Sequence, residues 1–135
     1  MSAAASGNVD TVLLVDSQFP PEPGSASEAR RSLERLSGFL DSSQLDSARL
    51  LVSELVSNSI RHAELTPEGW IWLRVVLLDR SLRVEVSDPG IGIPEVRVGP
   101  RTDGGWGLQI VDRISDRWGY ERYDVSFVWF ELDLR

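Results

Sequence analysis

Glu54 and Asn58 stand four residues apart, and Arg61 and His62 follow within one further turn of any helix that carries them. That spacing stacks a carboxylate, an amide and a cation along one flank. A carboxylate so placed can take a proton, and an amide oxygen is a hard ligand that suits Mg2+. The plainer alternative is the solvated polar flank of an amphipathic helix, the usual fate of isolated charges. Asp88 ends the alternating run Leu82, Val84, Val86, so period two turns its carboxylate to the apolar side. An inward acid needs donors, from the protein or from a ligand that brings them, and a purine amino group would serve. The local sequence equally allows a strand-end Asp that accepts from the following turn. In Asp88-Pro89-Gly90-Ile91-Gly92 the backbone can come close to something flat, because glycine has no Cβ to hold it away. Gly104-Gly105-Trp106-Gly107-Leu108 runs into a helical pattern, where unpaired N–H groups and the positive dipole end favour an anion. A polyphosphate fits that description, with Arg61, Arg97 or Arg101 as helpers, although such a segment also serves as a plain flexible entry to a helix.

Composition narrows the chemistry. The 135 residues suit one domain with one core, 1–135, whose first ~8 residues are expected to fray. With no cysteine and His62 as its single histidine, the chain has no disulfide, no thiolate metal site and no multi-histidine site. All 14 basic residues are Arg against 21 acids, a net charge of −7, so the body repels nucleic acid and anionic membranes and any anion needs locally arranged donors. No window reaches the ~20 apolar residues of a membrane span, and the opening Met1-Ser2-Ala3-Ala4-Ala5 lacks the regions of a secretion signal, so the expected location is cytoplasmic. Neither the Walker spacing with its lysine nor a strand leading at once into G-x-G-x-x-G is present.

The elements that must hold these residues follow from periodicity. Thr11–Val15 reads as a strand ended by the prolines of 20–23. Ser25 with Glu28 resembles a capping box for a helix over 26–40, and Ser43 with Asp46 a start for a second, long helix bearing Leu45, Ala48, Val52, Leu55, Val56, Ser59, Ile60 and Ala63 as its apolar or small stripe. Trp70–Leu78 and Leu82–Asp88 form an antiparallel hairpin. Six of the 11 glycines lie between 90 and 107, without hydrophobic period. Leu108, Val111, Ile114, Ser115 and Trp118 predict a third helix with Gly119 as its stop, and Ser126 onward alternates as a strand, with Tyr120–Tyr123 as its hairpin partner. The order predicts an α+β two-layer sandwich, three helices on one face of a mixed, largely antiparallel sheet. The outward face is expected to carry Trp72, Phe127 and Trp129, either as a surface for a homodimer or partner or as isolated surface aromatics.

Taken in order, Glu54 to Ala63, then Asp88 to Ile93, then Gly105 to Leu108 resemble the N-box and two glycine boxes of the GHKL ATP-binding superfamily, which includes gyrase B, heat-shock chaperone ATPases and histidine kinases. The chain is most similar in character to the single-domain bacterial anti-sigma-factor serine kinases. The resemblance implies the Bergerat fold, with ATP and Mg2+ as cofactors. It implies Glu54 as general base or polarising carboxylate, Asn58 as the Mg2+ ligand, Arg61 near the phosphates and His62 as a packing or nucleotide-adjacent residue. It further implies that Asp88 accepts from the adenine amino group and that Gly90, Gly92 and Ile93 let the nucleotide lie against the backbone. Gly105, Trp106, Gly107 and Leu108 would wrap the phosphates, and Glu95–Asp103 would be the lid. The implied function is an anti-sigma factor with serine/threonine kinase activity toward a small antagonist protein, its partners a sigma factor and that antagonist. The alternatives are a partner-switch module that binds nucleotide without useful turnover, and a simple ATPase.

Overall fold

A computed structural model describes residues 11–63, 69–89, 108–122 and 126–134. Strand β1 (Val12–Phe19) leads into helix α1 (Gly24–Ser32), a 3₁₀ segment over Leu33–Gly38 and the long helix α2 (Ser42–Ala63). The hairpin β2 (Ile71–Leu77) and β3 (Ser81–Asp88), helix α3 (Gln109–Ile114), and the pair β4 (Arg117–Arg122) and β5 (Ser126–Asp133) complete it. The five strands form one sheet in the order β1-β2-β3-β5-β4, and all four described pairings are antiparallel. The expected α+β two-layer sandwich is therefore present, with no parallel pair among the described residues. Alternation along the strands sends Val15, Leu73, Val75, Leu82, Val84 and Phe130 inward, where they meet Ala29, Leu33, Leu36, Leu51, Val52 and Val56 from the helices in one core.

Three local expectations are corrected. The first helix does not use Ser25 as a cap. Pro23 holds the N-cap position with no side-chain cap, and the buried Ser25 hydroxyl donates instead to the Pro20 carbonyl at 2.6 Å. Nor does that helix run to residue 40: Leu33 and Leu36, three apart, are both fully buried by a 3₁₀ segment, whose three-residue turn puts them on one side. Helix α2 starts on Asp41 and Gln44 rather than Ser43 and Asp46. The Gln44 N–H donates to Asp41 Oδ1 at 2.8 Å and the Asp41 N–H donates to Gln44 Oε1 at 3.4 Å, a reciprocal capping box. Leu40 and Leu45, on either side of that box, both enter the core.

The third correction concerns the end of α3. The helix stops at Ile114, Ser115 takes an extended conformation with its hydroxyl donating to the Val111 carbonyl at 2.6 Å, and Trp118 lies in β4 opposite Phe130. Gly119 is consequently no helix stop. It sits opposite Trp129, and a Cβ built on it would lie 2.6 Å from the indole Nε1. The ring occupies the space a side chain would need, and the Arg83 guanidinium lies over the same indole, 4.2 Å from its centre.

That stack belongs to the sheet's outward face, which carries Trp72, Phe127 and Trp129 as expected, in register with Ser87 and Glu85 of β3 between them. Arginines and acids are interleaved with the aromatics. Arg83 pairs with Glu85 at 2.9 Å and with Glu131 at 3.3 Å, and Arg117 pairs with Glu131 at 2.9 Å and also with Asp133. The Trp72 indole N–H donates to Asp16 of β1. No described helix is long and apolar enough to cross a membrane.

Candidate functional site

Helix α2 lays its buried face, Leu51, Val52, Leu55, Val56 and Ser59, over the inward side of the sheet. The polar residues beside that face are set by the same 3.6-residue period. Glu54 is half-buried, Asn58 lies one turn on with 8% of its surface exposed, and Arg61 follows half-buried. The Arg61 guanidinium donates to Asn58 Oδ1. His62 lies in the last turn of α2.

Asp88 closes β3 on the inward side, as period two requires, and only 4% of its surface is exposed. Ser59, equally buried at 4%, donates its hydroxyl to Asp88 Oδ2 at 2.5 Å. This bond joins α2 to the end of β3 and sets the acid beside the Glu54-to-Arg61 ribbon. The sequence reading placed Ser59 among the small residues of the apolar stripe and missed its role. Its signal was nonetheless present: an inward serine on the helix and an inward acid on the strand beneath it are polar groups that burial obliges to find partners.

Leu108 is buried in the core, and its carbonyl accepts from the Asp112 N–H at 3.0 Å as α3 begins. Gly90, Gly92, Ile93, the lid residues Glu95–Asp103 with Arg97 and Arg101, and Gly105, Trp106 and Gly107 lie outside the described residues. Of the expected site, then, Glu54, Asn58, Arg61 and Asp88 are brought to one corner through α2 and its bond to β3, and Leu108 enters the same core.

The donor chemistry at this corner selects what it can hold. Among the described residues no group of three or more His, Asp or Glu side chains could hold a metal by itself. Mg2+ rarely needs such a cage, since it keeps waters and shares one or two protein oxygens with substrate phosphates. The Asn58 amide oxygen fits that mode, provided Arg61 gives up its hydrogen bond to the same atom. A guanidinium released in this way is a group that binds phosphate well.

Comparison with known proteins gives the chain a family. The family described as the histidine kinase-like ATPase domain matches residues 19–129. The chain is also similar to an anti-sigma F factor of Clostridium acetobutylicum, 38% identical over 53 residues. That alignment covers 39% of this chain and 37% of the relative, so the matched stretch spans well under half of that protein's length. Because the family match runs from the end of β1 into β5 and so takes in α2, β3 and α3 together, the chain belongs to the histidine kinase-like ATPase domain family, whose domains bind ATP.

Proposed function

We propose that this domain is an Mg·ATP-dependent anti-sigma regulator that phosphorylates a serine or threonine of a small antagonist protein. The observation that carries the reading is the joint placement of Glu54 and Asn58 on successive turns of α2 with Asp88 bonded to that helix through Ser59. The likeness to an anti-sigma F factor supports a sigma factor and its antagonist as partners.

In this reading Asp88 accepts a hydrogen bond from the adenine amino group, and the packing of α2 on β3 fixes the distance between base and phosphates. Asn58 would hold Mg2+, and Arg61, released from Asn58, neutralises phosphate charge. Bound there, Mg2+ supplies charge neutralisation along the polyphosphate. Glu54 takes the proton of the attacking hydroxyl as its oxygen bonds to the γ-phosphorus and the bond to the ADP oxygen breaks. Position and electrostatics do most of this work, so the scaffold needs rigidity more than further reactive groups.

Incubation with labelled ATP and a candidate antagonist tests the proposal. The wild-type chain is expected to label the antagonist, and Glu54→Gln to lower the rate by ~100-fold or more with ATP affinity retained. Full labelling by that variant would remove Glu54 as the base. Nucleotide-dependent complex formation without label would instead support a binding switch, and phosphate release without any partner would support a simple ATPase.

A further inference from the structure

The seam between α3 and β4 holds two buried polar atoms that find no hydrogen-bond partner, Gln109 Oε1 in the first turn of the helix and the Tyr120 hydroxyl on the strand. A buried polar group without a partner is uncommon enough to need a reason. Only Ser115 and Asp116 separate α3 from β4, so the helix runs back along the strand that follows it. The seam is bonded once already, where the Trp118 indole N–H donates to Asp112 Oδ1 at 2.9 Å. Gln109 lies one helical turn before Asp112, and Tyr120 lies two residues beyond Trp118 on the same inward face of β4. They are the next pair along the seam, one step further from the Ser115–Asp116 turn. Their chemistry is complementary, since a phenol hydroxyl donates and a carboxamide oxygen accepts.

Resting on the reading of Gly105–Leu108 as the stretch that wraps the phosphates, we infer that Gln109 and Tyr120 are positioning residues for the nucleotide. The Tyr120 hydroxyl donates to Gln109 Oε1 when the first turn of α3 settles onto β4, and binding of Mg·ATP drives that settling. Leu108 stands directly before Gln109, and its carbonyl accepts from the Asp112 N–H, so a pull on the chain ahead of Leu108 acts on the whole first turn. The Asp112–Trp118 bond fixes the far end of α3 and gives that turn a point to move about. A six-residue helix has little cohesion of its own, so such tertiary ties set its place. Direct contact with phosphate would not answer the orphaned amide oxygen, because both groups are acceptors. A bond across the seam answers both atoms at once, and a ligand that favours the settled position gains affinity from it.

The test joins calorimetric titration of the full chain with Mg·ATP to urea unfolding of the same proteins without nucleotide. Tyr120→Phe removes only the hydroxyl, and Gln109→Met keeps the length of the side chain without its amide. Each is expected to lower ATP affinity roughly five- to tenfold, while nucleotide-free stability stays level or rises because an unpaired buried group has gone. The double variant is expected to bind ATP no more weakly than either single one, since the second substitution has no bond left to break. The same losses are expected with 2′-deoxy-ATP, because the pair acts through α3 and not on the ribose.

Unchanged ATP affinity in the variants would overturn the inference. Lower nucleotide-free stability in either variant would show that the bond is made without nucleotide, a merely structural role, and would overturn it too. Losses that add in the double variant would mean that the two residues act separately, and a loss that vanishes with 2′-deoxy-ATP would mean direct contact with the sugar; either result removes the pair as a positioning device. Failure of the wild-type chain to bind Mg·ATP would overturn the reading beneath it instead.

Discussion

Asp88 and Asp133 end neighbouring strands of one sheet and live in opposite surroundings. Asp88 turns inward, buried, and shares a hydrogen bond with the hydroxyl of Ser59. Asp133 ends β5 in the open, where the guanidinium of Arg117 clasps it and Glu131 shares the same arginine. Burial makes a carboxylate costly to keep even when hydrogen bonds answer it, whereas an exposed ion pair is softened by water and salt and is worth little. The inner acid is placed where stability alone would prefer an apolar residue, and the outer acid is placed where almost any polar residue would do. That difference is a physical reason, separate from any family likeness, to read the α2–β3 corner as the working end of the molecule and the outward face as scaffold.

The sharpest way to break the comparison is Asp88→Asn, which keeps an acceptor for Ser59 and removes the charge. ATP affinity is expected to fall roughly 10- to 100-fold, the loss of a charge-assisted hydrogen bond. Without nucleotide the variant should melt at or above the wild-type temperature, because a buried charge has been relieved. Thermal unfolding with and without Mg·ATP reads both halves. At ATP a hundredfold above its dissociation constant the wild-type midpoint should rise by roughly 10 °C, and at the same nucleotide concentration about half of that rise or more should be missing in the variant. A variant that melts well below wild type with its ATP response intact would reverse the assignment and make Asp88 a structural acid.

On the outward face the largest effect is expected from packing rather than charge. Gly119→Ala would drive a methyl group into the Trp129 indole, which lies 2.6 Å from the ideal Cβ position, so the ring or the β4 backbone must move and the Arg83 stack with it. Overpacking of this kind costs about 1–3 kcal/mol. Denaturant unfolding should show that loss, with ATP affinity unchanged because the substitution lies on the far side of the sheet from Asp88. A loss of ATP affinity at constant stability would show that the two faces are coupled through β5 and β3.

How much of this could be read from residues alone differs between the two faces. The inward end was legible because period two along Leu82, Val84, Val86 and Asp88 has one solution, and because Glu54 and Asn58 keep a helical interval beside a long apolar stripe. Ser59 escaped because a small residue in such a stripe satisfies the helical pattern whether or not its hydroxyl does anything, and only the strand beneath supplies the partner. The outward face was half legible. Alternation placed Trp72, Phe127 and Trp129, but not the Arg83 guanidinium that lies over Trp129, since cross-strand partners depend on register that no single strand carries. Trp118 and Gly119 misled because four residues after Ile114 is also a helical interval and glycine is a common helix terminator. The alternation of Trp118 and Tyr120 inward with Arg117, Gly119 and Glu121 outward, which β4 in fact follows, was written over the same residues. Two periods competed there, and tertiary pairing with β5 decided between them.

The smallest expected effect completes the contrast, at Asp133. The hydrogen bond from the Arg117 guanidinium holds the Asp133 carboxyl below its ordinary range, and the bonds to Asp133 and Glu131 raise Arg117 above its own ordinary value. A carboxyl lowered on folding adds stability at pH values above its unfolded range, and loses that contribution as pH falls through the folded value. Asp133→Asn should therefore be slightly less stable than wild type at neutral pH, far less affected than Gly119→Ala, and the gap should close toward acid and shrink in high salt. Arg117 keeps Glu131 at 2.9 Å in the variant, so the outward network loses one arm and not its anchor. Urea titrations of both proteins at neutral and acidic pH decide the matter: a gap that widens toward acid would mean that Asp133 is held by something other than Arg117, and a gap as large as that of Gly119→Ala would make the outward charges as consequential as the packing beneath them.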